Sequence, residues 1–357
     1  MSSRVYLQRI EDWKDFAGVA VSFRNLLEES KILDMVRADR PAAIKLTFGE
    51  AGNQGHPPVP LVRELVVALR ARGGHPFLTE TNTLYNGRRK NALDHLELAR
   101  EHGFAFENVG APILFGDGLL GRETFDVTLP SDDVPVAHLV PTVRDTDSLV
   151  GLAHATGHLL TGFGGAIKNI GMGLASRVGK LEMHSVVSPL VREEQCILCL
   201  ACIGACAHEA IRRGETAVAI DGQRCTGCAE CLAVCPTGAI GIDWSKDSRR
   251  IQERMAEYAL AVCRVLEPRI AFVNLLNHIS DHCDCIGPTP NLIAPDIGIA
   301  LSRDPVALDQ ATLDLVREAA GGDPFRAAWP EADAEAQLAH AEAIALGSRH
   351  YELVETG

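Results

Sequence analysis

The chain has 357 residues, a formal net charge of −13, 46% hydrophobic residues and 23% charged ones. That length suggests about two domains of ordinary globular composition. The acidity excludes nucleic acid as a general partner. No stretch of about 18 residues is apolar enough to cross a membrane, and the polar start Met1–Lys14 carries no secretory signal, so a cytoplasmic protein is expected.

Arg4–Gln8 alternates apolar and polar residues, the period of a short strand, and Asp12–Val36 has helical spacing. Ala42–Phe48 reads as a strand and runs into the glycine-rich loop Gly49–Gly55. Leu61–Ala71 is a helix behind Pro58 and Pro60, closed by Gly73 and Gly74. His75–Thr79 is the next strand and Arg88–His102 the next helix, stopped by Gly103. Strand and helix alternating at this spacing predict βαβ units and a mainly parallel sheet. Pro112–Phe115, Thr124–Leu129 and Val134–Val140 are candidate strands, and Ser148–Ala153 is a further apolar run. Between Gly157 and Gly179, glycines crowd among apolar residues, a loop-and-helix region whose backbone must approach something closely.

The stretch Gln195–Gly241 carries the strongest signal. Cys196, Cys199, Cys202 and Cys206 are spaced C-x₂-C-x₂-C-x₃-C, and Cys225, Cys228, Cys231 and Cys235 repeat that spacing before Pro236. Ala210-Ile211 and Ala239-Ile240 fall at equivalent places after each run. This resembles a bacterial two-cluster ferredoxin module, in which the fourth sulfur of each run ligates the other run's cluster. The resemblance implies one [4Fe–4S] cluster on Cys196, Cys199, Cys202 and Cys235, and a second on Cys225, Cys228, Cys231 and Cys206. A three-cysteine loop is not zinc-ribbon spacing, and eleven cysteines in a reducing compartment fit metal ligation better than disulfides. Ala207 stands where proline often follows the fourth cysteine, which leaves the ligand set intact.

Beyond the cysteines the α/β pattern resumes. Ser245–Leu266 is helical, Arg269–Leu276 and Ile297–Leu301 are strand-like, and Asp304-Pro305 supplies an N-cap and first position for a helix to Ala320. Pro330–Leu346 is an Ala/Glu-rich helix whose small-residue face packs on its own domain or forms a homodimer contact. The expected fold class is therefore α/β: a mainly parallel sheet domain with an inserted α+β ferredoxin-like domain. Its divisions are 1–189 for the first part of the α/β domain, 190–244 for the two-cluster module, 245–325 for the second part, and 326–357 for the C-terminal helix and tail.

Three further constellations could carry chemistry. Ligands bind beyond the carboxyl ends of parallel strands, and Glu50, Asn53 and Asn82 sit in loops at two such ends as pocket candidates. The Gly49–Gly55 loop matches neither G-x-G-x-x-G nor a P-loop, so it reads as a plain turn or a weak anion site. Lys168 lies in a glycine-rich apolar run with His158 before it and His184 after it. A lysine there either caps carbonyls or, desolvated, works as a nucleophile or proton donor. Finally, His282, Cys283 and Cys285 lie with Asp281 and Asp284 just after an expected strand, a candidate for an additional metal or for a redox-active thiol; the plainer reading is a pair of buried cysteines.

The segments FGEAGN, TETNTLYNGRR, TGFGGAIKNIGMG, SRVGKLEMH and DHCDCIG resemble the domain of unknown function 362 family, over most of the chain. That resemblance implies an embedded ferredoxin module and leaves the activity unassigned; Thr156 departs from the lysine expected before Gly157-His158. A fainter likeness, to the nickel-pincer lactate racemase family, would make His158 an acid-base group, Lys168 a cofactor tether and His184 a metal ligand. No convincing counterpart of that family's other catalytic histidine is found, although Asn82 stands near its place.

These readings converge on an iron-sulfur protein whose two clusters relay electrons to a small-molecule site in the α/β domain, an oxidoreductase. Two alternatives stay open: a non-enzymatic electron carrier docking a redox partner protein, and a metal- or pincer-dependent enzyme whose clusters are structural.

Overall fold

A computed structural model describes residues 3–85, 87–184, 189–225, 229–241, 248–285 and 291–356. Its centre is an eight-stranded sheet. In spatial order the strands are Tyr351–Glu355, Ser3–Arg9, Gly298–Ser302, Ile270–Leu276, Ser148–His154, Pro41–Lys45, His75–Glu80 and Ile113–Phe115. Every neighbouring pair is parallel except those made by Gly298–Ser302, which runs against both its neighbours. The large, mostly parallel α/β sheet expected from the sequence is present. Its antiparallel strand and its outermost one were not foreseen: the tail forms a shorter helix, Ala336–Ala343, and then the edge strand Tyr351–Glu355.

Helices cover both faces, and that is why the central strands are apolar throughout rather than alternating. On one face, Val19, Phe23, Leu26 and Leu27 of the helix Phe16–Ser30 and Leu61, Leu65 and Leu69 of Val59–Ala71 pack on Ile44, Leu78, Val150 and Val273. On the other, Ala166–Gly171, Ser248–Leu266 and Pro305–Ala320 pack on Ala43, Leu149, Phe272 and Ala300. Each fully buried Leu or Phe of this kind contributes about 1.5–3 kcal/mol. The helix expected from Ser245 begins, among the described residues, at Ser248.

One buried carboxylate fixes the short helix that carries Lys168. Asp309, on Pro305–Ala320, accepts the amides of Ala166 (2.7 Å) and Ile167 (2.9 Å) and the side-chain amide of Asn274 (2.8 Å). It reaches them because Gly165 has no side chain; a Cβ there would sit 2.3 Å from the Asp309 carboxylate. Burial pushes the Asp309 carboxyl up to about 6, against the pull of these donors.

Between the sheet strands Ser148–His154 and Ile270–Leu276 the chain makes a smaller cysteine-rich unit. Leu190–Val191 pairs with Ile240–Gly241, and Ile211–Arg213 with Val218–Ile220. Two short helices, Ala201–Ala205 and Glu230–Val234, each begin after a residue held at positive φ, Leu200 (62°) and Ala229 (61°). Those two residues occupy the same place in the two cysteine repeats, so the internal repeat of the sequence is also one of backbone conformation. Among the described residues no helix is long and apolar enough to cross a membrane.

Candidate functional site

A cavity of about 570 Å³ opens beyond the carboxyl ends of the central parallel strands, where Lys45, Glu80 and His154 complete their strands and line its wall. This is the place where open α/β sheets bind ligands. Lys168, His158 and His184 line it too, together with Cys283 and Cys285, so the histidine- and lysine-bearing constellation and the C-x-C loop share one space.

Its charges are unusual for an acidic protein. Lys45, Arg89, Lys168 and Lys180 line the cavity against the acids Glu80 and Asp284. Lys45 is 2% exposed and pairs with Glu80 at 3.0 Å, while also donating to Asn169 Oδ1 at 3.0 Å. Lys180 donates to the Thr81 hydroxyl at 2.5 Å and the Asn82 carbonyl at 2.7 Å. Arg89 is held by Glu50 at 3.1 Å. Lys168 is different: among the described residues its ammonium makes no hydrogen bond or ion pair. Its aliphatic chain passes close over Gly164, where a Cβ would come within 2.7 Å of the lysine Cδ.

Burial pushes the Lys168 amine down to about 8; Asp284 opposes this, and Lys45 and Arg89 add to it. Lys180 is likewise pushed down to about 8, first by burial. Because the folded value lies below the ordinary lysine value of about 10.4, the unfolded chain binds more protons between those two pH values. The contribution of Lys168 to stability is therefore poorest below pH 8 and recovers as the pH rises above it. Trace acetylation followed by peptide mass spectrometry should give Lys168 a reactivity midpoint near pH 8. A midpoint above pH 10 would show that the amine is solvated after all.

Two histidines of the cavity, His154 and His158, are shifted in opposite directions. His154 Nε2 meets the Asn277 carbonyl at 2.5 Å and Nδ1 meets the Asp284 carboxylate at 3.1 Å. Both nitrogens face acceptors, so both must donate. The imidazole is accordingly raised above its usual value: burial, the largest single influence, opposes this, and the Asp284 charge together with the hydrogen bonds to Asp284 and Asn277 outweighs it. His158 sits in the hairpin formed by Thr156–His158 and Gly162–Gly164, and its Nδ1 accepts the amides of Leu160 and Thr161, both at 3.2 Å. A proton on Nδ1 would oppose those donors, so the ring is neutral with its proton on Nε2. Burial first, then Lys168, holds it well below the usual range. A neutral imidazole of this kind serves as a fixed hydrogen-bond donor and is poorly placed to shuttle protons. His184 is pushed down to about 4 by burial.

Glu50, Asn53 and Asn82 act from behind the cavity wall. Glu50 fixes Arg89, Asn53 accepts the Gly55 amide at 2.7 Å, and the Asn82 side chain donates to Asp117 at 2.9 Å. His282 is turned away from the cysteines, toward Asp281 (2.9 Å) and edge-on to Trp329. The imidazole that does approach Cys283 and Cys285 is that of His158; one donor atom from each of the three lies within 4.8 Å of the others. The two sulfurs are joined as a disulfide, so neither is a free thiolate for a metal. Lys45, Glu80, Arg89, Lys180 and His154 escaped the sequence reading. Lys45 left a trace there, as a lone cation inside the apolar run Ala42–Phe48, which is costly to bury unpaired.

In the cysteine-rich unit, two small hollows divide the sulfurs between them. Cys196, Cys199, Cys202 and Cys235 surround one, with Ile197, Leu200 and Ile240. Cys206, Cys225 and Cys231 surround the other, with Ile211 and Ile220; Cys228 lies outside the described residues. Each hollow thus takes a late cysteine from the opposite repeat. The apolar packing around Cys202, Cys231 and Cys235 also takes in Leu84 and Leu181. Leu84 lines the cavity as well, and Leu181 follows the cavity lysine Lys180.

Comparison with known proteins returns short and distant relatives besides one family. The indolepyruvate oxidoreductase subunit IorA of Methanothermobacter marburgensis is 48% identical over 50 residues, 14% of this chain and 8% of that protein. Its counterpart in Methanothermobacter thermautotrophicus is 51% identical over 49 residues, 13% of this chain and 8% of that protein. The chain therefore matches only about a twelfth of the length of these curated relatives. Among solved structures, a Thermotoga maritima protein aligns over 86% of this chain and 58% of its own, with 12% identity and a TM-score of 0.43. The lactate racemase apoprotein of Thermoanaerobacterium thermosaccharolyticum aligns over 76% of this chain and 50% of its own, with 13% identity and a TM-score of 0.39. A family model matches residues 42–314, most of the chain, and on that match the protein belongs to the family described as domain of unknown function (DUF362).

Proposed function

We propose that this protein is an iron-sulfur oxidoreductase in which residues 190–244 form an inserted ferredoxin-like module holding two [4Fe–4S] clusters, and in which the sheet cavity binds a small-molecule substrate. The flanking stretches 1–189 and 245–325 are then the two parts of one α/β domain, with 326–357 closing it. When bound, such clusters supply reversible one-electron transfer. The donor sets fit them: cysteine-lined hollows with mostly apolar walls, each drawing a sulfur from the other repeat.

One observation carries the reading. The apolar packing that holds the cluster cysteines is continuous, through Leu84, with the wall of the cavity, so electron carriers and substrate would share one packed body. The chain's own residues have separate tasks. Lys168, whose ammonium has no partner among the described residues, meets an anionic group of the substrate; His158 offers a fixed N–H; the Lys45–Glu80 and Arg89–Glu50 pairs hold the wall. A protein of this kind works in the cytoplasm and draws electrons from a redox partner protein.

The test has two stages. Anaerobically purified protein should carry about eight iron atoms per chain, and no nickel or zinc. After reduction, small carboxylate acceptors should reoxidise the wild type and fail to reoxidise Lys168→Ala, whose iron content should be unchanged. Equal rates in both proteins would remove Lys168 from the site, and an iron-free preparation would remove the clusters.

A further inference from the structure

We infer that Cys283 and Cys285 form a two-electron redox couple facing the cavity, cycling between disulfide and dithiol as the substrate site turns over. This rests on the iron-sulfur reading for its supply of electrons. Four observations carry it.

Both cysteines line the same cavity as Lys168 and His158, and their sulfurs are already joined. The crosslink spans a sequence separation of only two. A disulfide stabilises chiefly by restricting the unfolded chain, and more for longer loops, so one that closes so short a loop contributes little as a staple. Its value is chemical.

The loop is also secured independently of the bond. The Tyr85 hydroxyl donates to the Cys285 carbonyl at 3.2 Å, the Glu50 amide donates to the Asp284 carbonyl at 2.9 Å, and the Asp284 carboxylate is held by His154. The backbone therefore keeps its place when the sulfurs part. Finally, a His158 ring nitrogen lies within 4.8 Å of both sulfurs. With Nδ1 taken by two amides, the ring carries its proton on Nε2, the nitrogen left to serve the sulfurs, and a donor there favours the thiolate that forms when the bond breaks.

The half-reaction balances simply. The S–S bond takes up two electrons and two protons and breaks, and two S–H bonds form. The electrons arrive singly from a low-potential donor of the ferredoxin or flavodoxin class by way of the cysteine-rich unit. The dithiol then returns two electrons and two protons to a small anionic two-electron acceptor, the kind of ligand favoured by a cavity rich in lysine and arginine.

The experiment is a reductive titration of the anaerobic holoprotein with photoreduced deazaflavin, followed by alkylation and peptide mass spectrometry of the segment holding both cysteines. Iron content and the paramagnetic signal report the clusters separately. Wild type should take up about four electrons per chain, and Cys283→Ser and Cys285→Ser about two each with unchanged iron. The wild-type peptide should go from no alkyl groups to two. Clusters that reduce while the peptide stays unlabelled would overturn the inference and leave the cluster reading standing. Thiols already free before reduction, or shielded by bound zinc or nickel, would overturn it as well. Absence of iron would sink the cluster reading and the inference with it.

Discussion

Replacing Cys235 with alanine should strip the cluster from the opposite repeat. Iron should fall from about eight to about four atoms per chain, and Cys196, Cys199 and Cys202 should become open to alkylation while Cys225 and Cys231 stay shielded. Cys206→Ala should give the mirror image, exposing Cys225 and Cys231. The reason is geometric: Cys235 shares its hollow with the first three cysteines of the other run, and Cys206 shares its hollow with Cys225 and Cys231. Three thiolates remaining around a hollow cannot complete a four-cysteine set, so the loss is local to one cluster. Exposure of Cys225 and Cys231 in the Cys235→Ala protein would mean that each run ligates its own cluster, and the crossed arrangement would be abandoned.

The second large effect is expected at Asp309. Asp309→Ala leaves the amides of Ala166 and Ile167 without their acceptor in a fully buried place, and the side-chain amide of Asn274 with the Thr312 hydroxyl alone. An orphaned buried donor costs about 1–3 kcal/mol, so a loss of roughly 3–5 kcal/mol is expected for the set. The urea midpoint, followed by tryptophan fluorescence, should drop accordingly. A second readout separates general loosening from the specific role. The helix that carries Lys168 would lose its anchor, so the acetylation midpoint of Lys168 should move from near 8 toward the ordinary lysine value. A variant with unchanged midpoints in both measurements would show that Asp309 does not hold the helix.

Much of the scaffold was legible because both sheet faces are covered. That burial leaves apolar runs such as Ser148–His154 and Ile270–Leu276, and glycines, prolines and an Asp-Pro start mark the breaks between elements. The direction of Gly298–Ser302 was not legible, because strand polarity depends on where the preceding connection crosses the sheet and leaves no local pattern. The strand Tyr351–Glu355 carries only two partly buried side chains on an exposed edge, too few to set a period. At the site, Lys168, His158 and His184 stood out because polar residues interrupt a glycine-rich apolar stretch. Lys45, Glu80, Arg89 and Lys180 did not, since each pairs with a group distant in sequence, and pairing of that sort is visible only once the strands are laid side by side. His282 looked like the partner of the cysteines by proximity in sequence, yet Trp329 and Asp281 hold it elsewhere.

The place of Ser3–Arg9 in the sheet has a consequence for synthesis. Its two hydrogen-bonded neighbours are Gly298–Ser302 and Tyr351–Glu355, segments that leave the ribosome long after it. While the middle of the polypeptide emerges and condenses, the first strand has nothing to pair with. Until those segments emerge, it is an open strand edge of the kind that invites mispairing and aggregation.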